Sequence, residues 1–147
     1  MDWFCKTFDK LTKDELYALL HLRAEVFVVE QDCPYQDVDN KDKNAIHVFA
    51  EKNAEIVAYA RILKPGDYFQ ETCIGRIVTK QTLRGTGLGR ELVKKSIEYI
   101  EAHFKTNTIH ISAQTHLKRY YESFGFIQDG AEYLEDNIPH IGMTRSK

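Results

Sequence analysis

The most distinctive chemical signal in the sequence is a glycine-rich stretch, residues 84–90, which we call the glycine loop. It holds three glycines at alternate positions between Arg84 and Arg90. An apolar run, residues 73–78, precedes it and is too short for an ordinary helix. Apolar residues after it recur at helical spacing, at Leu88, Leu92, Val93, Ile97, Ile100 and Phe104. The pattern predicts a strand, a loop and a helix.

Such a loop is suited to binding an anion. Glycine lacks a Cβ atom, so a ligand can approach the main chain closely, and unusual backbone angles become accessible. The first turn of a helix has unpaired N–H groups at the positive end of the helix dipole, which favours a negative charge. The arginines at both ends can add positive charge. The expected ligand is therefore a phosphate or a pyrophosphate.

Two common phosphate-binding patterns do not match. The Walker pattern needs Gly-Lys followed by Ser or Thr, which the sequence lacks. The dinucleotide pattern Gly-x-Gly-x-x-Gly has Arg90 in place of its third glycine. The pattern that remains is Arg-x-x-Gly-x-Gly, formed by Arg84, Gly87 and Gly89.

The surrounding elements follow from hydrophobic periodicity and turn residues. Thr12 and Glu15 match a capping box at the start of a long helix. Gly125 is placed to end a short helix. We predict helices at 13–29, 88–104 and 117–124, an ordered acidic loop at 30–45, and strands at 3–8, 46–52, 55–63, 73–79 and 108–113, with weaker strands at 131–134 and 138–144. This order predicts one α/β domain, residues 1–147, with a mixed sheet.

Composition narrows the functional classes. The 147 residues are 43% hydrophobic and 29% charged with a net charge of −2, so no overall positive field favours nucleic acid. No apolar run reaches the roughly 18 residues that span a membrane, and the first residues lack a signal-peptide pattern. Three widely spaced cysteines, Cys5, Cys33 and Cys73, indicate free thiols and not a disulfide framework or a zinc site. We therefore expect a cytoplasmic protein.

Two motifs together resemble the GNAT N-acetyltransferase superfamily. The Arg-x-x-Gly-x-Gly pattern resembles its acyl-coenzyme A pyrophosphate loop. Some thirty residues later, residues 113–126 look like its "Leu-Tyr-Glu-Lys-Leu-Gly-Phe" segment, with Tyr121 on the tyrosine and Gly125-Phe126 at the end. Further matches, which resemble the ElaA-type branch, are residues 22–31, Pro34, Asp39, His47, residues 58–61, Gly75-Arg76 and residues 138–143.

The resemblance implies a GNAT fold, with a mostly antiparallel central sheet flanked by helices and splayed at the acyl-CoA site. Main-chain amides of the glycine loop would hold the pyrophosphate. The backbone of the preceding strand would pair with the pantetheine arm, and one of its amides could polarise the thioester carbonyl. The implied donor-binding residues are Ile77, Val78, Thr79, Arg84, Gly85, Thr86, Gly87, Leu88, Gly89 and Arg90. No metal is implied.

The catalytic acid is also implied by the resemblance, whereas the base is not. Tyr121 falls where the superfamily places a tyrosine near the sulfur, and a phenol with a pKa near 10 can protonate a departing thiolate of pKa near 8.5. A packing role for this helix aromatic is the alternative. An amine acceptor needs a base, for which the candidates are Glu30, His47, His110 and His140, with water relays possible; we select Glu30 and His140.

Several polar residues have two possible interpretations. Asp32, Asp37, Asp39 and Asp42 could attract a cationic amine or could form a solvated loop. For Arg61 and Arg76, buried ion pairing is favoured over binding of a substrate carboxylate. Cys33 could act as a nucleophile, but no Cys-His-Asp arrangement is visible near it in the sequence.

The sequence thus predicts an acetyl-CoA-dependent N-acetyltransferase that acts on a primary amine of a small molecule, peptide or protein lysine. The alternatives are a non-catalytic acyl-CoA sensor and a structural module whose loop binds nothing. No metal cofactor, nucleic acid or membrane partner is expected. A homodimer is possible, because pairing of sheet edges is common among GNAT monomers.

Overall fold

The structure is a computed structural model that describes residues 1–105 and 108–146. In this part of the chain, eight strands form one sheet in the order β1-β2-β3-β4-β5-β8-β6, and β7 also pairs with β8. The strands are β1 Asp2–Thr7, β2 Ile46–Lys52, β3 Glu55–Leu63, β4 Thr72–Thr79, β5 Thr108–Gln114, β6 Ile127–Gln128, β7 Tyr133–Glu135 and β8 Ile138–Ser146. The pairing of β4 with β5 is parallel, and the others are antiparallel. The predicted mixed, mostly antiparallel sheet is confirmed.

The first helix, α1 (Lys13–Arg23), begins at the predicted capping box, where Thr12 Oγ1 accepts from the Glu15 amide at 3.0 Å. Beyond Arg23 the chain widens into a π-helix, Ala24–Glu30, so the predicted regular helix to residue 29 is wrong in its last turns. Apolar spacing could not reveal the change, because Val26 is buried in the π-helix as it would be in an α-helix. This helical unit packs on one face of the sheet against Phe49, Tyr59 and Val78.

The second helix, α2 (Leu88–His103), packs on the opposite face of the sheet. The predicted apolar stripe is confirmed, because Leu92 and Ile100 are fully buried and Phe104 packs against the same core. Each buried aliphatic side chain of this kind contributes about 1.5–3 kcal/mol. The start of α2, directly after the glycine loop, is thereby fixed to the sheet.

Strand β4 contains a bulge where it pairs with β3, and it separates from β5. Tyr59 and Arg61 of β3 are two residues apart, whereas their partners Val78 and Gly75 on β4 are three apart, so β4 has one extra residue. Arg76 within this bulge has φ +50°, a value that residues with a side chain rarely adopt. The parallel pairing of β4 with β5 covers two positions, Thr72–Ile109 and Cys73–His110. The strands separate after these positions, so the predicted splay is confirmed.

The C-terminal part forms a hairpin of β7 and β8 around Asp136 and Asn137, whose φ values of +51° and +63° fit a type I′ turn. The predicted short helix is a 3-10 turn, Thr115–Leu117, followed by α3 (Lys118–Glu122). Strand β6 was not predicted, because its two residues are exposed and have no apolar alternation. None of the helices described by the structure is long and apolar enough to cross a membrane.

Candidate active site

A cavity of about 510 Å³ occupies the gap where β4 and β5 separate. Residues 75–79 and 111–114 line it from the two strands. The end of the π-helix, the β7–β8 hairpin and α3 also contribute to its lining. The cavity therefore brings together three residues that lie far apart in the sequence and were predicted as catalytic: Glu30, Tyr121 and His140.

The glycine loop has the open main chain that an anion site requires. Gly85 and Gly87 have φ values of +80° and +88°, and a Cβ added at either would meet nothing within 4 Å. Gly87 directly precedes the first residue of α2, so the unpaired amides of the first turn follow it. These features fit a pyrophosphate, because the glycines leave free the space that side chains would fill.

Gly89 has a different structural role. A Cβ at this position would lie 3.3 Å from the Tyr120 hydroxyl, so glycine allows α2 to approach α3 closely. The Thr86 hydroxyl donates to the Leu83 carbonyl at 2.6 Å and closes the loop on itself. Leu88, within the loop, is buried in the core.

The two arginines of the loop have different surroundings. Arg84 lines the cavity and forms a bidentate ion pair with Glu30, with N–O distances of 2.5 and 3.0 Å. The Arg90 guanidinium lies 4.6 Å from the centre of the Phe124 ring and donates to Ser123 Oγ at 3.1 Å. Of the two loop arginines, Arg84 therefore borders the cavity.

Tyr121 is a buried residue with a protonated hydroxyl. It lies on α3, is 7% exposed and lines the cavity. Burial, with a smaller contribution from Tyr120, raises the pKa of the Tyr121 phenol well above its ordinary value near 10. No hydrogen bond to this hydroxyl is formed within the described residues. The phenol can therefore donate its proton to a group in the cavity.

Of the three histidines predicted as candidate bases, His140 lines the cavity. It is 7% exposed, and its Nδ1 lies 2.7 Å from the Ile138 carbonyl oxygen. Its Nε2 lies 3.4 Å from Glu135 Oε2. This environment leaves Nε2 directed toward a carboxylate at the cavity wall.

His47 and His110 lie outside the cavity lining. His47 is fully buried between the Tyr59 hydroxyl at 2.6 Å and the Asp42 carbonyl at 2.9 Å, and burial lowers its pKa. Both ring nitrogens of His47 therefore have partners away from the cavity. His110 packs against Phe69 with ring centres 4.1 Å apart, and burial lowers its pKa as well. Glu30 and His140 remain as base candidates.

Comparison with known proteins shows the family. The model of the family described as acetyltransferase (GNAT) domain matches residues 9–147. This chain belongs to the GNAT acetyltransferase family. The family and the fold support acyl-CoA-dependent acyltransferase activity.

The relatives confirm the resemblance to the ElaA-type branch. Protein ElaA of Escherichia coli (strain K12) is 45% identical over 147 residues, which cover 99% of this chain and 96% of that protein. The crystal structure of Escherichia coli ElaA has a TM-score of 0.92 at 44% identity, covering 99% of this chain and 100% of that one. An acyl-CoA N-acyltransferase from Pseudomonas aeruginosa has a TM-score of 0.94 at 44% identity, with the same coverage. An aminoglycoside 6'-N-acetyltransferase complexed with coenzyme A shares the fold, with a TM-score of 0.72 at 16% identity over 97% of this chain and 96% of that one.

Four aspartates of the acidic loop were predicted either to be solvated or to attract a cation. In this GNAT domain, three of the four do neither. Asp37 and Asp42 are buried, and Asp39 is half-buried. Each carboxylate pairs with two of three arginines, so both interpretations of these residues are wrong, and the ion-pairing interpretation of Arg61 and Arg76 is confirmed. The pairs are Arg23–Asp37, Arg23–Asp42, Arg61–Asp39, Arg61–Asp42, Arg76–Asp37 and Arg76–Asp39.

This network contacts the bulge in β4, which lines the cavity. Arg76, in the bulge, donates from Nε to Asp37 Oδ1 at 2.8 Å. Burial opposes ionisation of Asp39, but hydrogen bonds from Arg61 and the Lys41 amide outweigh it and lower the Asp39 pKa to about 2. The loop that looked like a substrate-binding segment therefore supports the unusual backbone of β4. Asp32 is exposed and lies outside the network.

All three cysteines are free thiols. Cys33 is buried at the cavity wall, where its Sγ donates to the Asp136 carbonyl at 3.5 Å. Burial raises the pKa of the Cys73 thiol, which also lines the cavity, to about 11. In the described part of the chain, no histidine is bonded to Cys33, and no cluster of three or more His, Cys, Asp or Glu side chains is arranged to hold a metal ion.

Sequence reasoning missed Glu135. Glu135 is the last residue of β7 and lines the cavity. It pairs with Ile138 of β8, and its carboxylate lies close to His140. A signal was present: Asp136-Asn137 is a typical two-residue hairpin turn, and a tight hairpin places Glu135 beside the start of β8. The weak apolar pattern of β7 concealed this register.

Proposed function

We propose that this GNAT protein transfers the acetyl group of acetyl-CoA directly to a primary amine of a small molecule, a peptide or a protein lysine. One observation carries the proposal. Tyr121, Glu30 and His140 line the same cavity as the β4 residues Ile77, Val78 and Thr79, and this cavity borders the glycine loop at Arg84.

The donor site would use the main chain more than side chains. Loop amides would bind the pyrophosphate, and each hydrogen bond to a charged group contributes about 1.5–3 kcal/mol. A few such bonds are enough for micromolar binding, about −8.2 kcal/mol. The structure of the aminoglycoside 6'-N-acetyltransferase, which has this fold, contains coenzyme A.

The pantetheine arm would lie along β4. Residues 77–79 have no partners on β5 in the described pairing, so their main chain can bind an amide-containing arm as an added strand would. Acetyl-CoA supplies the activated acyl thioester. A β4 amide can donate to its carbonyl oxygen, where negative charge develops during the reaction.

The transfer itself needs one proton donor and one acceptor. The amine nitrogen forms a bond to the carbonyl carbon while the carbon–sulfur bond breaks. Glu30 or His140 takes the proton that the amine loses, and Tyr121 gives its phenol proton to the departing sulfur. The buried, protonated state of Tyr121 supports its assignment as the acid.

A panel of amines tests this function. The full chain is incubated with acetyl-CoA and an alkyl monoamine, a diamine, an amino acid or a lysine peptide, and released thiol is measured with mass spectrometry of the acceptor. We expect release that depends on one amine class, with an added mass of one acetyl group. Firm binding of acetyl-CoA without release for any amine would contradict the enzyme and favour the acyl-CoA sensor.

A further inference from the structure

The hydrogen bonding of His140 fixes which nitrogen can take a proton. Nδ1 lies 2.7 Å from the Ile138 carbonyl oxygen, and a carbonyl oxygen can only accept. Nδ1 must therefore carry the hydrogen. In the neutral ring, Nε2 then has a free lone pair, which is the state that a general base requires.

The Glu135 carboxylate faces the ring nitrogen that has no hydrogen. Its Oε2 lies 3.4 Å from Nε2, and neither atom has a hydrogen to share while the imidazole is neutral. Once Nε2 takes a proton, the same contact becomes an attraction between opposite charges. The Tyr133 ring lies beside the imidazole, with centres 6.2 Å apart and an interplanar angle of 24°. The facing position on β5 is Gln114, which carries no charge.

Glu30, the other candidate, is already paired. Both oxygens of its carboxylate contact the Arg84 guanidinium, at 2.5 and 3.0 Å. The carboxylate is therefore oriented toward Arg84 and not toward an acceptor amine. Its position beside the glycine loop instead connects it with the donor-binding arginine.

We infer that His140 Nε2 is the general base of this protein and that Glu135 is a positioning residue that stabilises the charged imidazole. The amine proton moves to Nε2 as the amine attacks, and it leaves to solvent after the product dissociates. Glu30 acts at the donor site through Arg84. This inference rests on the proposed function and assigns its base.

Nuclear magnetic resonance of the free protein tests the tautomer without any acceptor. Two-bond ¹H–¹⁵N spectra of the labelled protein distinguish the two neutral tautomers, and H140Q assigns the signal. We expect hydrogen on Nδ1 and a bare Nε2. A neutral ring with its hydrogen on Nε2 would overturn the inference.

Kinetics with the best amine of the panel test the roles. We expect H140A to lower kcat about 100-fold, with partial recovery in added imidazole. We expect E135Q to lower kcat about tenfold while KM for acetyl-CoA stays within twofold, because one charge interaction is lost. E30Q should mainly change KM for acetyl-CoA. E132Q is the matched control, since Glu132 is exposed just before β7, and it should resemble the wild type.

The outcomes separate this inference from the proposed function. The inference alone would be overturned if the wild type acetylates amines but H140A keeps its kcat. The same holds if kcat falls about 100-fold in E30Q and not in H140A. Unchanged kcat in E135Q would remove the role of Glu135. A wild type that acetylates no amine would overturn the proposed function and, with it, the inference.

Discussion

At the scale of single residues, burial determines what Tyr121 can do. The phenol sits among Tyr120 and Phe126, with ring centres 5.2 and 6.1 Å away. These surroundings disfavour the phenolate, so the pKa of Tyr121 is raised and the hydroxyl stays protonated at neutral pH. A group in this state can give a proton to a thiolate but is poorly suited to take one from an amine.

We expect Y121F to lower kcat about 100-fold, the smaller end of the range for a general acid, because the proton for the sulfur is lost. The dissociation constant for acetyl-CoA should stay within twofold, since the ring and its packing remain. Thiol release and calorimetric titration measure the two quantities. Y99F is the control, because Tyr99 lies on α2 and stacks on His103 outside the cavity lining.

The pH dependence gives a second check on Tyr121. A phenol whose pKa is raised above 10 loses its proton only above that pH, so its ionisation should not lower the rate between pH 7 and 9. Y121F with wild-type kcat would contradict the acid role, and the aromatic packing of Tyr121 would then be its sole function.

At the scale of elements, the sequence predicted what is local. Strands β2 and β3 have the predicted bounds, and the capping box and the stripe of α2 are present. The π-helix and the pairing of Asp37, Asp39 and Asp42 could not be predicted in the same way. The aspartates pair with arginines 14 to 39 residues away, and such distant partners leave no local pattern.

The glycine loop gives a prediction with an internal control. In G87W the indole would occupy the space that the pyrophosphate needs, so titration with coenzyme A should show a loss of affinity of at least about 100-fold. Both G87W and G130W place a side chain at positive φ, at +88° and +97°, with open space around each. Each should therefore lose about 1–2 kcal/mol of stability.

G130W should still bind coenzyme A as the wild type does, because Gly130 lies outside the loop and the cavity lining. Equal loss of binding in both variants would attribute the effect to destabilisation. Unchanged binding in G87W would count against the loop as the pyrophosphate site.

The ion-pair network predicts sensitivity to acid. The pKa of Asp39 is about 2 in the folded chain, against 3.8 for the unperturbed group. Its ionised form thus stabilises the fold fully above pH 4, and this contribution is lost as the pH falls from about 4 to 2. D39N should be less stable than the wild type at pH 7, by about 1 kcal/mol.

Urea unfolding at pH 7, 4, 3 and 2.5 measures this effect. The difference between D39N and the wild type should shrink across the acid range. D32N is the control, since Asp32 is exposed and outside the network. A difference that stays constant down to pH 2.5 would contradict the role given to the Asp39 charge.

At the scale of the whole molecule, the cavity is built from five elements of the chain. The separation of β4 and β5 creates the space, and the arginine–aspartate network contacts the bulge in β4 at Arg76. The π-helix, the β7–β8 hairpin and α3 then place Glu30, His140 and Tyr121 on its walls. Motif spacing predicted the donor loop and Tyr121, and the places of Glu30 and His140 in the chain suggested them as candidate bases. Glu135 depends on a hairpin register that the sequence showed only weakly.

The most direct test of the donor site is a crystal structure of this protein with acetyl-CoA. We predict the pyrophosphate on the amides of residues 84–90, the pantetheine arm along Ile77–Thr79, and the sulfur within hydrogen-bonding distance of the Tyr121 hydroxyl. A pyrophosphate bound away from the glycine loop, or a sulfur on the opposite face of the sheet from Tyr121, would contradict the account.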